Sequence, residues 1–227
     1  MNYGTYNEKL TIILVSFHSN HIIENLVNSI ENNIKIIVIE NSLNNEVKLN
    51  LEKKFKNVQV IIPKKNLGNG GGINLGLSFV KTEFSLYLDP DIEPDKNMVN
   101  ILLEKTDKIK NFSILAPKEQ NYIYGEDQYI KYDKKNSYHK MKFITGCALL
   151  FKMEALNKTG YFDENIFLYY EEHDLYYRCL KLGLDIYLID DANIIHHGSS
   201  AINKDYDNEI YLNRNWHYCW SKFYYFK

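Results

Sequence analysis

Two carboxylates, Asp89 and Asp91, follow a short apolar segment and are separated by a single proline. Residues 84–88 (FSLYL) are apolar and aromatic, which predicts a buried strand. Because residues i and i+2 of extended backbone point to the same side, Asp89 and Asp91 should project together beyond the strand's end. Adjacent carboxylates repel each other unless a cation lies between them, and a divalent metal carrying a phosphorylated ligand suits this position. A turn whose side chains cap the next helix is the alternative.

A glycine-rich segment, residues 66–76 (NLGNGGGINLG), follows a predicted strand and opens a predicted helix, so its backbone N–H groups could face an anion. The dinucleotide fingerprint G-x-G-x-x-G fails because Ile73 occupies its last position. A looser G-x-G-x-x-x-G does fit, with Asp89 as the ribose-binding acid. A nicotinamide-dependent oxidoreductase is therefore an alternative function. That alternative leaves Asp91 unexplained, and a whole strand–helix–strand unit precedes the glycines, whereas the fingerprint usually opens its fold.

Glu171, Glu172, His173 and Asp174 stand together at the predicted start of a helix. One of the two glutamates could act as a general base toward a substrate hydroxyl. Acids are also favoured in a first helical turn by the helix dipole and by capping, which is the structural alternative and the role expected for Asp174.

His196 and His197 end an apolar extended segment, so their side chains should face opposite sides and at most one belongs to a given site. A neutral imidazole is a good ligand for Mn²⁺ and an acceptable one for Mg²⁺. A surface or capping histidine is the alternative.

The first half of the chain alternates strand and helix signals, which predicts an α/β fold with a largely parallel sheet. The predicted strands are residues 10–17, 34–39, 58–62, 84–88 and 112–116, and the predicted helices are 21–32, 46–55, a short helix ending near Val80, and 95–108. Residues 120–140 are polar and rich in Tyr and Lys, which predicts an insertion or mobile loop. The remaining predictions are a strand at 143–151, helices at 153–158 and 171–182, two short strands at 184–189 and 192–196, and a helix from 209 onward.

The composition suits one globular domain of 227 residues, 45% hydrophobic and 25% charged. A net charge of -2 argues against nucleic-acid binding, which usually needs a basic surplus. Three widely spaced cysteines give neither a disulfide framework nor a zinc pattern and fit a reducing compartment. The sequence shows no signal peptide and no apolar stretch long enough to span a membrane, so we expect a cytoplasmic protein.

In this order and spacing, the motifs resemble those of the family-2 inverting glycosyltransferases with a GT-A fold, especially the bacterial rhamnosyltransferase-like branch. The resemblance runs from Thr11 to about Ser200 and rests on LVSFHSN, VIENS, NLGNGGGINLGL, YLDPD, TGCALLFKMEAL, GYFDENIFLYYEEHDL and IIHHGSS. It implies a mostly parallel central sheet flanked by helices. It also implies a catalytic domain over residues 1–205, with a donor-binding half at about 1–95 and an acceptor-binding half at about 96–205, and a C-terminal aromatic and basic helical tail over 206–227.

The resemblance implies roles for individual residues. The nucleotide-sugar donor would be bound by Ser16, Phe17, Glu40, Asn66, Asn74, Asp89 and Asp91. A Mg²⁺ or Mn²⁺ ion would be held by Asp91 and His196. Glu172 matches the family's catalytic base position, where it replaces an Asp, so Glu171 is the alternative base. Gly146, Phe162 and Tyr169 would lie on the acceptor side.

The implied activity is the inverting transfer of rhamnose or another hexose from a UDP- or dTDP-linked donor to a glycan or lipid-linked glycan acceptor, in cell-surface polysaccharide synthesis. A non-catalytic nucleotide-sugar-binding subunit is a further alternative. Residues 214–227 are rich in Trp, Tyr and cations, which suits a helix at a membrane interface and a peripheral protein at the inner face of the cell membrane. Packing of this helix on the catalytic domain is the other interpretation.

Overall fold

A computed structural model of the protein describes residues 7–132, 135–198 and 207–227. The first half contains four strands and three helices: β1 (Leu10–Ser16), α1 (Ile23–Ser29), β2 (Lys35–Glu40), α2 (Asn45–Lys54), β3 (Val58–Ile61), α3 (Gly68–Leu77) and β4 (Phe84–Leu88). These four strands are parallel and lie in the order β3-β2-β1-β4. The strand–helix alternation predicted from the sequence is therefore confirmed for this half of the molecule.

The second half adds six strands and four helices: β5 (Ile92–Pro94), α4 (Met98–Lys108), β6 (Phe112–Glu119), β7 (Tyr129–Lys131), β8 (Tyr138–Met141), β9 (Ala148–Lys152), α5 (Met153–Thr159), α6 (Glu171–Lys181), β10 (Asp185–His196) and α7 (Asp207–Phe226). The sheet continues as β4-β9-β6-β10-β8-β7, and β5 pairs with β10. β9 is antiparallel to both β4 and β6, so it joins the parallel half to the parallel pair β6 and β10. The result is a mixed central sheet flanked by helices.

Several of the segments predicted in the second half are wrong in extent. The strand predicted at 143–151 begins only at Ala148, because residues 143–147 line a cavity rather than joining the sheet. The two strands predicted at 184–189 and 192–196 are one strand, β10, whose pairing with β6 shifts register between Ile189 and Asn193. Residues 120–140 are not wholly irregular, since the short strands β7 and β8 lie within them.

Two apolar layers cover the faces of the sheet, and β1 shows why. Its residues point alternately to either side, so Leu10, Ile12 and Leu14 belong to one layer and Ile13 and Val15 to the other. The first layer packs against α1, α2 and α4, and the second against α3, α5 and α6. Burying each of these aliphatic side chains contributes about 1.5–3 kcal/mol, which makes the layers the main source of stability.

The glycines of α3 are packing residues. Helix α3 begins at Gly68, and a Cβ atom on Gly72 or Gly76 would lie 2.8 Å from Val15 or 2.6 Å from Ile13 respectively. The helix therefore rests on β1 at a distance that only glycine permits. The first N–H groups of α3 are also occupied, since Gly68 N donates to Asn66 Oδ1 and Asn69 N donates to the carbonyl of Phe167. Two of the N–H groups that were expected to face an anion are thus bonded within the protein.

None of the helices within the described ranges has the length and apolar character required to cross a bilayer.

Candidate active site

A cavity of about 980 Å³ opens at the carboxyl ends of β1, β4 and β6, where polar residues follow each buried strand. Its walls carry five carboxylates: Asp89, Asp91, Glu119, Glu171 and Glu172. Among the described residues that line it, Arg214 is the one arginine or lysine. The cavity wall therefore has more carboxyl groups than cationic side chains, an imbalance that a bound cation would offset.

Asp89, Asp91 and His196 converge on one side of the cavity. His196 Nε2 lies 3.3 Å from Asp91 Oδ1 and 3.8 Å from Asp89 Oδ2. The pairing of β10 with β5 produces this approach, because it sets His196 opposite Ile92, and His197 N donates to the carbonyl of Asp91. The structure thus brings together three residues that the sequence analysis placed at the donor and metal site.

The same three residues fit a divalent metal. One ligand atom from each lies within 4.8 Å of the others, and two carboxylate oxygens with one imidazole nitrogen are a suitable donor set for Mg²⁺ or Mn²⁺. The hydrogen bond to Asp91 is the chief reason why the pKa of His196 is raised to about 11. The imidazolium therefore supplies the positive charge between the carboxylates in this structure, and a metal ion would take over that role.

Asp89 belongs to a chain of polar contacts that crosses the cavity floor. The hydroxyl of Tyr87 contacts Asp89 Oδ1 and lies 2.8 Å from Asn69 Oδ1. Asn69 Nδ2 donates to Glu171 Oε1 at 2.9 Å. Burial is the main reason why the pKa of Asp89 is raised to about 7. This chain links the metal side of the cavity with the acidic start of α6.

Glu119 was not anticipated by the sequence analysis. It ends β6, is buried, and places Oε1 3.5 Å from Nδ1 of His196, on the opposite side of the ring from Asp91. A carboxylate in that position fixes the orientation of the imidazole. The predicted strand stopped at Ala116 because Pro117 and Lys118 interrupt the apolar pattern, which hid the last three residues of the strand.

Glu171 and Glu172 open α6 and both line the cavity, but their environments differ. Glu171 is only 3% exposed, and its Oε2 has no hydrogen-bond partner among the described residues. Burial, followed by the charge of Glu172, raises the pKa of Glu171 to about 8. The side chain of Glu172 is 20% exposed and lies 3.4 Å from His173 Nδ1.

Gly146 makes room for Glu172. A Cβ atom at residue 146 would lie 3.2 Å from both Cγ and Cδ of the glutamate. The two residues preceding α6, Tyr169 and Tyr170, have φ values of 66° and 67°, a left-handed conformation that costs a non-glycine residue about 1–3 kcal/mol. These two backbone conformations direct the first turn of α6, with its two glutamates, toward the cavity.

The other predicted site residues are divided between the cavity wall and the structure behind it. Phe17, Asn66 and Tyr169 line the cavity. Ser16, Glu40, Asn74 and Phe162 are not among its lining residues. Glu40 is buried and bonded by Ser42, and the side chain of Asn74 bonds both the N–H and the carbonyl of Phe162.

Several lining residues were missed because only tertiary structure brings them here. Asn41 bonds the backbone of Leu67 and Gly68 through its side-chain amide and so holds the entry to α3. Helix α7 adds Asn213, Arg214 and His217 to the wall, and His217 stacks on Phe167 with ring centroids 4.3 Å apart. Such contacts join distant segments, so their spacing in the sequence gives no signal.

Helix α7 is tied to the segment between α5 and α6 at two further points. Ser221 Oγ donates to the carbonyl of Leu168 at 2.8 Å, and the hydroxyl of Tyr224 lies 3.0 Å from Asp163 Oδ2. Its outer face is apolar and mostly aromatic, with Tyr211, Leu212, Trp216, Trp220, Phe223 and Phe226 exposed. One face of α7 therefore packs on the rest of the protein, while the other face exposes aromatic side chains.

Comparison with known proteins gives this arrangement a family context. The family model for glycosyl transferase family 2 matches residues 11–160. The low-salt glycan biosynthesis hexosyltransferase Agl10 of Haloferax volcanii is 24% identical over 212 residues, covering 85% of this chain and 68% of that protein. An uncharacterized glycosyltransferase of Rickettsia typhi is 23% identical over 203 residues, covering 81% of this chain and 62% of that protein.

Solved structures with the same fold include two that hold a nucleotide and manganese. GalNAc-T7 with UDP, GalNAc and Mn²⁺ superposes with a TM-score of 0.67 at 14% identity, covering 83% of this chain and 43% of that one. The mannosyltransferase PcManGT of Pyrobaculum calidifontis, in complex with GDP-Man and Mn²⁺, gives a TM-score of 0.66 at 13% identity, covering 86% and 57%. The chain thus spans about half the length of these enzymes, and the likeness shows that its fold is the GT-A fold.

Proposed function

The chain belongs to glycosyl transferase family 2, and on that premise we propose that it transfers a hexose from a nucleoside-diphosphate donor to a hydroxyl group of an acceptor glycan. The observation that carries the proposal is the convergence of Asp89, Asp91 and His196 in a cavity that Glu172 also lines. The three converging residues suit a metal-bound diphosphate, and the glutamate suits a reacting hydroxyl.

Asp91 and His196 would hold Mg²⁺ or Mn²⁺, with Asp89 beside them. When bound, the ion neutralises charge on the leaving nucleoside diphosphate. Arg214 supports the donor side of the proposal, because it is a half-buried guanidinium in the wall of an acidic cavity and makes no ion pair with any described residue. A guanidinium so placed is suited to a phosphate oxygen. Phe17 and Asn66 would contact the nucleoside, with Ser16, Glu40 and Asn74 supporting them from behind.

Glu172 is the proposed general base. It would accept the proton of the acceptor hydroxyl as the oxygen attacks the anomeric carbon from the face opposite the leaving group, which inverts configuration. Glu171 is less suited, because its raised pKa of about 8 keeps much of it protonated near neutral pH. A protonated acid cannot take the hydroxyl proton. Gly146 and Tyr169 would lie beside the acceptor, with Phe162 packed beneath.

The acceptor proposal includes a lipid. The outer face of α7 suits a membrane interface, and its inner face borders the cavity. Docking of α7 on the inner face of the cell membrane would bring the cavity to a lipid-linked glycan. Synthesis of a cell-surface polysaccharide is the setting in which such an acceptor is extended.

A donor-binding and turnover experiment tests the proposal. Thermal shifts with UDP-, dTDP- and GDP-linked sugars, each with Mn²⁺, Mg²⁺ or EDTA, should identify a donor that stabilises the chain only with metal. Asp91→Asn should abolish that shift and slow donor hydrolysis, while Asp95→Asn, an exposed carboxylate four residues later, should change neither.

Three results would contradict the proposal or part of it. Stabilisation by reduced nicotinamide cofactors without metal would support the oxidoreductase instead. Metal-dependent donor binding with no hydrolysis and no transfer to any acceptor would favour a non-catalytic binding subunit. Normal hydrolysis by Asp91→Asn would remove the metal role of that residue.

A further inference from the structure

Cys147 and Glu119 form a second cluster with His196, in which Glu119 faces Nδ1, the ring nitrogen that the proposed catalytic metal does not use. One ligand atom from each of these three residues lies within 4.8 Å of the others. Cys147 Sγ is 3.8 Å from Glu119 Oε2, and Glu119 Oε1 is 3.5 Å from His196 Nδ1. Cys147 and Glu119 are buried, at 4% and 6% exposure, and all three residues line the cavity, from which an ion could reach them.

From this cluster we infer a binding site for a thiophilic divalent ion such as Zn²⁺, formed by Glu119, Cys147 and His196. Thiolate, carboxylate and imidazole are all ligands that zinc accepts, and three protein ligands with one open position make a four-coordinate site. A soft sulfur ligand favours Zn²⁺ over Mn²⁺ or Mg²⁺, which prefer oxygen. The chemistry of the set therefore differs from that of Asp89, Asp91 and His196.

Charge and proton balance are satisfied when the ion binds. Binding releases the thiol proton of Cys147 to the buffer, together with the extra proton of His196 where the ring is charged. The ion is then held by a thiolate, a carboxylate and a neutral imidazole, whose two negative charges equal the charge of the metal. A buried site with zero net charge avoids the desolvation penalty of an isolated ion.

The two metal sites would exclude each other through His196. Its Nε2 faces Asp89 and Asp91, whereas its Nδ1 faces Glu119. A neutral imidazole has one nitrogen free for a metal and keeps its proton on the other. A zinc ion at the second site would therefore deprive the catalytic metal of its nitrogen ligand and inhibit transfer. This consequence rests on the proposed function, but the existence of the site does not.

Cobalt(II) provides the direct test, because a thiolate bound to it gives a near-ultraviolet charge-transfer band. Titration of the full chain with Co²⁺ should produce that band and saturate at one ion per chain. Cys147→Ser should abolish it, while Cys219→Ser, which removes the exposed thiol on α7, should leave it unchanged. A band that is absent from the unmodified protein, or that persists in Cys147→Ser, would overturn the assignment.

Asp91→Asn and Glu119→Gln separate the two sites. Asp91→Asn should lose Mn²⁺ binding, measured by the electron paramagnetic resonance signal of free Mn²⁺, and keep the cobalt–thiolate band. Glu119→Gln should weaken Zn²⁺ binding by at least the roughly 10–100-fold expected for loss of an outer contact. Loss of the band in Asp91→Asn would show a single shared site and refute the inference.

None of these measurements needs a sugar donor, so failure of the proposed transferase activity would be seen separately. Circular dichroism verifies folding, and Cys147→Ala replaces Cys147→Ser if the serine variant does not fold.

Discussion

Glu171 and Glu172 are neighbours in the sequence, but their carboxyl groups differ in their access to water. Glu171 lines the cavity but is only 3% exposed, and it receives a hydrogen bond from Asn69. Glu172 extends into the cavity beside Gly146. A general base must reach its proton and be ionised, and burial with a raised pKa makes Glu171 poorly suited to that role.

Glu172→Gln should lower kcat by about 10²–10⁴-fold with little change in the donor KM, because it removes proton acceptance and leaves the metal side intact. Steady-state kinetics with a saturating acceptor measure the effect. Glu171→Gln is the matched control and should retain most of the activity, since glutamine can still accept the hydrogen bond from Asn69. A larger loss in Glu171→Gln would assign the base to Glu171.

Glu171 should also make stability depend on pH. Its pKa rises from its usual value of 4.5 to about 8 in the folded protein, chiefly because of burial. Between these values the folded state holds a proton that the unfolded state has lost, so the stability that this group contributes is full below about pH 4.5 and is lost as pH rises through 8. Each unit of such a difference corresponds to about 1.4 kcal/mol.

Glu171→Gln should therefore flatten the decline in the free energy of unfolding across this pH range. Urea denaturation below, within and above the range measures it. Asp174→Asn in the same helix serves as a comparison. An equal decline in the Glu171→Gln variant and the unmodified protein would contradict the raised pKa.

At the scale of elements, the segment 163–170 is held between α3 and α7. Its Phe167 receives a hydrogen bond from Asn69 N on one side and stacks on His217 on the other. Because this segment leads directly into α6, contacts made by both helices fix the positions of the two glutamates. Of these contacts, the one that the start of α3 makes with the segment is the closest.

Gly68→Ala should destabilise the protein more than Gly183→Ala. Both glycines have positive φ, at 74° and 71°, so both variants carry the cost of a left-handed alanine, about 1–2 kcal/mol. At residue 68 the new Cβ would also lie 2.1 Å from the carbonyl oxygen of Phe167, whereas at residue 183 nothing lies within 4 Å. Thermal unfolding compares the two, and equal losses would show that the contact with Phe167 relaxes freely.

Elements with a continuous apolar pattern were predicted well, and elements that depend on distant partners were not. β4 was predicted to the residue because FSLYL is apolar and ends at Asp89. β10 was divided because Asp190 and Asp191 interrupt its apolar pattern, although the bulge there keeps the strand in the sheet. The link from Tyr87 through Asn69 to Glu171 could not be predicted, because it joins residues up to 102 positions apart.

At the scale of the whole molecule, the sheet brings the two halves of the site together. The parallel half supplies Asp89 and Asp91, and β6 and β10 supply Glu119 and His196. α7 then closes the cavity from outside the sheet and leaves its aromatic face exposed. That face is the part of the molecule proposed to meet a membrane.

The two tryptophans of the chain, Trp216 and Trp220, both lie on this exposed face, so selectively excited tryptophan fluorescence reports on this face. Addition of anionic phospholipid vesicles should shift the emission to shorter wavelength as the indoles leave water, with Lys222 and Lys227 assisting electrostatically. Replacing Phe223 and Phe226 by Ser should weaken vesicle binding, measured by cosedimentation. Replacing Tyr122 by Ser, an exposed aromatic residue elsewhere, should not. Unchanged emission at saturating lipid would exclude docking through α7.

The late position of α7 in the chain has a consequence during translation. β4 is complete at Leu88, whereas α7 begins at Asp207, and a ribosome adding ~5–20 residues per second takes on the order of 10 s to cover that distance. Throughout this interval the emerging polypeptide already carries Asp89 but has neither Arg214 nor the wall formed by α7. Sugar transfer should therefore begin only after synthesis has passed α7, so a ribosome stalled before that point would display an inactive enzyme.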